Sequence, residues 1–180
     1  IADTSGAAVL GYNMDGGQPG LAIKDMGDWI SVYSSAPCID VQMLRNLLTM
    51  TDSHVYSENN EDVIYANNHY VALHSAEGGT KTITLPEKHS VYDVFAEEFV
   101  SMDADQITYE HDAKDTKLYR LLTPNHYAVT ARLKAGKGTL SAPGLTEVAM
   151  RKSYTLTVAP EEGYEIASVT VNGEVKKKKK

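Results

Sequence analysis

The sequence predicts a mainly β fold with one α-helix, of the α+β class, in which a β-sandwich-like main domain is followed by a small, truncated β module. Three observations predict it. Between Asp62 and Leu122, short runs rich in Val, Ile, Thr and Tyr succeed one another, separated by Asn, Asp and Gly clusters. At Lys81 to Leu85 apolar and polar residues alternate, the period of a strand with one buried face. Helical spacing of apolar residues is confined to one stretch, Val41 to Leu48.

The first third mixes strand and helix. Ala7 to Tyr12 is a short apolar strand, and Asn13 to Gly20 is a turn-rich break leading into a strand at Leu21 to Lys24. Asp25-Met-Gly-Asp28 reads as a hairpin turn before the strand Trp29 to Ser34. Asp40 is placed to cap a helix, because its carboxylate can accept the backbone N–H groups that a first turn leaves unpaired. Val41, Leu44, Leu47 and Leu48 then share one face of a helix of about 11 residues. His54 to Ser57 is expected as the next strand, bounded by the polar loop Glu58 to Glu61.

From Asp62 the chain reads as nearly all β. Asn67-Asn68 separates two apolar-rich runs, and asparagine tolerates the positive φ of a two-residue turn, so Val63 to Leu73 is a hairpin. Ile83 and Leu85 share one face of their strand, Thr82 and Thr84 the other. Gln106 to Glu110 and Lys117 to Leu122 are expected to pair as a second hairpin around Asp112 to Asp115. Pro124-Asn125 reads as a linker. Beyond it, Tyr127 to Leu133, Gly136 to Ser141, Tyr154 to Val158 and Ile166 to Val171 supply four short strands. The expected divisions are 1–57, a partial α/β segment; 58–123, an antiparallel β domain; 126–175, a truncated β module; and 176–180, a lysine tail.

Composition excludes several classes of function. The 180 residues are 42% hydrophobic, enough for one core and a smaller module. The formal charge is −7, yet five of the 17 basic residues are Lys176 to Lys180, so the body sets 12 basic against 24 acidic residues, net −12. An acidic body argues against nucleic acid, whose phosphates need clustered Lys and Arg. The lysine run reads as an appended tail. No apolar run approaches the roughly 20 residues of a membrane span. The single cysteine, Cys38, allows no internal disulfide and is expected as a buried small hydrophobe between Pro37 and Ile39. The chain begins at Ile1 rather than Met, the mark of a processed or excised start.

Three sets of strings carry resemblances. Asp62-Val-Ile-Tyr-Ala-Asn-Asn-His-Tyr-Val-Ala-Leu-His74, Lys81-Thr-Ile-Thr-Leu-Pro86, Val91-Tyr-Asp-Val-Phe95 and Thr116-Lys-Leu-Tyr-Arg-Leu121 resemble the small β-domain that closes many β-galactosidase-type glycoside hydrolases. Gly17 to Lys24, Trp29 to Pro37, Leu44 to Leu48 and His54 to Ser57 look like the last strands and helix of the flavodoxin-like domain of the same enzymes. Gly136 through Pro143-Gly144, then Pro160 to Glu174, resembles the bacterial extracellular repeat related to the internalin B-repeat. The resemblance implies a secreted or cell-surface bacterial protein, with the missing domains of a parent chain as partners. It also implies that this region is a non-catalytic accessory part. The glutamates that act in those enzymes stand at barrel strand ends, and no segment here matches them.

Glu97-Glu98 and Glu161-Glu162 are adjacent and point to opposite faces of a strand, so neither pair can flank one glycosidic bond. His69 and His74, at odd spacing on one strand, should face opposite sides and share no metal. His89 with Asp93 and His54 with Asp52 are local acid–imidazole pairs, and Ser75 and Ser90 lack the glycine pattern of a nucleophile elbow. Asp103-x-Asp105 lacks the glycine and distal glutamate of a calcium loop and reads as surface loop. No cofactor or metal is expected. Aromatic residues carry the binding alternative, because the C–H face of a sugar stacks on π surface. Trp29, Tyr33, Tyr56, Tyr65, Tyr70 and Tyr92 are the candidate sugar contacts, and carbohydrate is the partner they imply.

Overall fold

The computed structural model describes residues 3–176 and is mainly β with one helix, built from several antiparallel sheets. The chain divides at Glu61/Asp62 into two units. The lysine run from residue 177 onward lies outside the described residues.

In the first unit, β1 (Ala8–Tyr12), β2 (Pro19–Asp25) and β3 (Ile30–Ser34) form an antiparallel meander. Gly16 and Gly17 turn the first connection at φ 85° and 64°, where a Cβ would be strained. The second turn closes through Met26 N–H donating to the Trp29 carbonyl at 2.9 Å, while the Asp25 carboxylate accepts from Gly27 N–H at 2.8 Å. Asp40 caps α1 (Val41–Thr49), accepting from Met43 N–H at 3.0 Å, and the helix is nine residues long against the expected 11 or so. Its end is set by Asp52 at φ 52° and by Ser53 N–H returning to the Leu48 carbonyl at 3.1 Å. Val41, Leu44 and Leu48 remain exposed.

Two expectations fail in this unit. His54 to Ser57 is not a strand. The Arg45 guanidinium donates to the Ser57 carbonyl, to the Asn59 carbonyl at 2.7 Å and to Asn60 Oδ1 at 2.5 Å, so this segment bonds to a side chain instead of a sheet. Cys38 is exposed, not buried. The Ser34 hydroxyl bonds both the N–H and the carbonyl of Ala36, folding residues 34–36 into a bend that carries Cys38 out to solvent. There it lines an open groove of about 220 Å3 with Leu10, Tyr12, Ile39 and Met43.

The second unit is organised by a five-stranded antiparallel sheet of β4 (Val63–Ala66), β5 (Tyr70–His74), β6 (Gly79–Asp93), β7 (Glu98–His111) and β8 (Thr116–Leu122), in the order β4-β5-β8-β6-β7. The β4–β5 hairpin forms as expected, but neither Asn67 nor Asn68 takes a positive φ. Asn67 works through its side chain, whose Oδ1 accepts from His69 N–H at 2.8 Å and Tyr70 N–H at 2.9 Å. The expected β7–β8 hairpin does not exist. Asp112 to Asp115 is pinned to the end of β5, since Ser75 N–H donates to the Asp115 carbonyl and Lys114 N–H to the Ser75 carbonyl, each at 2.9 Å. That steers β8 onto β5 and the C-terminal half of β6.

The β6–β7 register breaks between Thr84 and His89, around Pro86, which has no N–H to give the ladder. Asp103, at φ 54°, lies within β7 at a second irregularity, between the pairs His89↔Ala104 and Val91↔Ser101, and not in a loop. The long strands bend so that two arms of the sheet face each other: the Tyr109 ring on β7 meets the Tyr119 ring on β8 at 5.3 Å although those strands are not neighbours. Val71, Leu73, Ile83, Leu85, Val91, Ile107, Tyr119 and Leu121 fill the space between. Each fully buried aliphatic side chain there stabilises the fold by about 1.5–3 kcal/mol. The alternation of Ile83 and Leu85 inward and Thr84 outward follows the sequence pattern.

Three two-stranded ribbons complete the unit: β9 (His126–Ala131) with β11 (Gly144–Ala149), β10 (Gly138–Leu140) with β12 (Val158–Pro160), and β13 (Val169–Val171) with β14 (Glu174–Lys176). Where the sequence suggests a linker, Pro124-Asn125 makes a tight turn, with Asn125 at φ 60° and its carbonyl accepting from Met150 N–H at 2.8 Å. β11 has no counterpart in the expected strands, and of Tyr154 to Val158 only Val158 enters a strand.

Candidate functional site: an aromatic sheet face

Side chains alternate across a strand, so the burial of Val71, Tyr119 and Val91 in the core places their neighbours Tyr70, Arg120 and Tyr92 on the outer face. Register then lines them up. Tyr70 pairs with Arg120, Arg120 with Tyr92, and Tyr92 with Phe99, one row across four strands. The next row is Tyr65, Ala72 and Leu118, and beyond it stand Val63, His74 and Thr116.

This face has a closed end and an open end. At the closed end the Tyr127 ring of β9 meets Phe99 at 5.1 Å, and Glu147 of β11 reaches Arg120 at 3.3 Å, so the β9–β11 ribbon contacts both neighbours of Tyr92. Tyr92 is accordingly only 8% exposed. At the open end Tyr65 is 75% and Tyr70 39% exposed. The Arg120 guanidinium lies 4.8 Å from the centre of the Tyr70 ring, a cation–π contact of roughly 0.5–2 kcal/mol that holds the ring in place. Glu147 also accepts from Thr123 N–H at 2.9 Å. Burial by itself raises the Glu147 pKa, but the hydrogen bonds from Thr123 and Arg120 and the Arg120 charge outweigh it, so the carboxyl sits below its ordinary value and stays ionised. His74 Nδ1 is 2.9 Å from the Thr116 hydroxyl.

Of the six aromatic candidates, Tyr65, Tyr70 and Tyr92 therefore share one face, the first two open to solvent. Trp29, in the turn before β3, and Tyr33, on β3, are both exposed and belong to the first unit. Tyr56, half-buried, packs edge-on against His54 at 4.6 Å in that same unit. Sequence reasoning missed Arg120, Glu147, Phe99, Tyr127 and Ala72. They come from distant strands, and only the pairing of β8 between β5 and β6 assembles them.

The other singled-out groups are committed elsewhere. The fully buried Ser75 donates its hydroxyl to the Glu77 carbonyl, and the Ser90 hydroxyl accepts from His126 N–H at 3.3 Å. His89 bonds the Leu122 carbonyl at 3.1 Å and faces Glu87 at 3.6 Å, while Asp93 holds Lys117 and the turn amides of Phe95 and Ala96. His69 sits in the β4–β5 turn, not on a strand with His74. Glu97 occupies a turn at φ 57° and pairs with Arg132. Among the described residues no group of three or more His, Cys, Asp or Glu converges as a metal site would require.

The core also contains a polar cluster. Lys81 and Asp62 form an ion pair at 3.0 Å, with the Asp62 side chain fully buried and its Oδ2 without a hydrogen-bond partner among the described residues. The His111 ring lies 4.7 Å from that of Tyr109, and Nδ1 is 3.6 Å from Asp115. Burial pulls the His111 pKa below its ordinary value despite the nearby Asp115 carboxylate. Burial likewise pushes the Tyr109 hydroxyl up to about 12, with Asp62, Asp115 and Asp93 adding to the rise. Within this cluster the Asp62, Lys81 and His111 side chains are buried, whereas Tyr65 and Tyr70 on the outer face are open to solvent.

Compared with protein-family models, with curated proteins and with solved structures, the chain matches none.

Proposed function

We propose that this chain is a non-catalytic accessory region of a secreted or cell-surface bacterial glycoside hydrolase, and that it holds carbohydrate against the outer face of its five-stranded sheet. Catalysis belongs to other domains of the parent in this reading. The observation that carries the binding role is the open pair Tyr65 and Tyr70, on adjacent strands of one face and beside a fixed arginine. Sugar rings stack their C–H faces on such rings, and the guanidinium and the imidazole of His74 offer hydrogen bonds to hydroxyls.

The test is a calorimetric titration of the whole chain with galactan fragments and mucin-type glycans. A single open platform of this size predicts a Kd on the order of 0.1–1 mM, about −4 to −5.5 kcal/mol. Tyr65→Ala and Tyr70→Ala should each abolish measurable binding, and Trp29→Ala should leave it unchanged. Binding that persists in both tyrosine variants, or none by the parent chain, would overturn the proposal.

A further inference from the structure

We infer that the open end of this face is a seat for a single neutral pyranose ring, centred on Ala72 and selective against anionic sugars; the inference rests on the carbohydrate-binding reading above. Ala72 is the small residue at the middle of the patch. Tyr65 and Leu118 stand opposite it on the strands to either side, and Tyr70 and His74 lie two residues away along its own strand, on the same face. Strand geometry makes that frame about 10 Å across the strands and about 14 Å along them between backbones, which leaves room over one methyl group for one six-membered ring. A bulky residue at position 72 would fill it.

Charge decides the class of ring. Arg120, the cation of this row, is bound to Glu147, and the Glu147 carboxylate is held ionised by its bond from Thr123 N–H. The pair presents donors without net charge. The chain as a whole carries −7. A uronate or sulfate brought to the seat meets, among the described residues, no uncompensated cation of this row and a like-signed protein, whereas a neutral hexose loses nothing to charge and gains the tyrosine faces.

The experiment titrates the whole chain with three ligands of equal length: neutral galactan fragments, oligogalacturonates and sulfated galactan fragments. The neutral ligand should bind at least tenfold more tightly than either anionic one, with an affinity unchanged between 20 and 500 mM salt, where about ten- to hundredfold losses mark binding carried by charge. Ala72→Leu should weaken neutral binding at least tenfold. Glu147→Gln, which leaves the Arg120 charge unpaired, should raise affinity for the sulfated ligand about tenfold while its circular dichroism matches the parent. Equal affinity for neutral and anionic ligands, or full binding by Ala72→Leu, overturns the inference even where Tyr65→Ala abolishes binding and the carbohydrate reading stands. Absence of binding to all three ligands overturns both.

Discussion

Replacing Lys81 by methionine should be the most damaging single change in the second unit. The substitution removes the ammonium group 3.0 Å from an Asp62 side chain with no solvent exposure. Asp62 Oδ1 would keep only the N–H of Ala76, at 3.3 Å, and Oδ2 already lacks a partner among the described residues. Water cannot reach the carboxylate to compensate, so the cost is that of a buried charge left alone, about 3–5 kcal/mol. That is a large part of the roughly 5–15 kcal/mol that holds a domain of this kind together. Urea unfolding followed by tyrosine fluorescence reads it: with a slope of about 2 kcal/mol per M, the midpoint should fall by about 2 M with the slope unchanged. The double variant Asp62→Leu/Lys81→Met removes both charges and should return to within about 1 kcal/mol of the parent, since a buried pair is weak net stabilisation but costly to break. Lys117→Met is the control, because Lys117 is about a third exposed and lies 3.4 Å from Asp93; it should cost about 1 kcal/mol or less. A shift under about 0.5 M for Lys81→Met would refute the reasoning.

Two further outcomes follow from the same unit. His111 takes up its proton less readily when folded than when unfolded, so its contribution to stability is complete above the unfolded pKa near 6.5 and is lost as pH falls below it, at up to about 1.4 kcal/mol per pH unit; His111→Phe should flatten the unfolding midpoint between about pH 6.5 and 5.5. Asn67→Ala should cost about 1 kcal/mol in urea unfolding by removing the acceptor of two turn amides, and Asn67→Gly should cost as much, whereas a turn that depended on positive φ would tolerate glycine.

Local signals in the sequence were legible where one short segment holds the whole cause. The alternation around Ile83 separated the two faces of β6, and Asp40 identified the start of α1 through a bond only three residues long. Legibility ended where a distant group decides the outcome. His54 to Ser57 has strand-like composition, but Arg45 takes the Ser57 carbonyl and the Asn59 carbonyl just beyond it. Cys38 has apolar neighbours, yet the bend that carries it is exposed. The turn at Asn67 was placed correctly for a mechanism it does not use, because a side-chain amide can supply what a positive φ otherwise supplies. The aromatic face was half visible: Tyr65, Tyr70 and Tyr92 were candidates by type, but the row through Arg120 to Phe99 depends on which strands pair, and proximity in sequence favoured β7 with β8.

That strand order has a consequence for how the protein comes off the ribosome. β8 is the last of the five strands to be synthesised, yet it lies in the middle of the sheet, with β5 on one side and the end of β6 on the other. Until residue 122 emerges, this sheet can exist only as two separate hairpins, β4–β5 and β6–β7, each with the edge that β8 will occupy left open to other chains. Closure joins segments far apart along the chain, the kind of contact that makes folding slow. The newborn protein thus passes through an interval in which the future centre of this sheet is two adhesive borders, and the seven-residue strand Thr116–Leu122 ends that interval by inserting as a keystone.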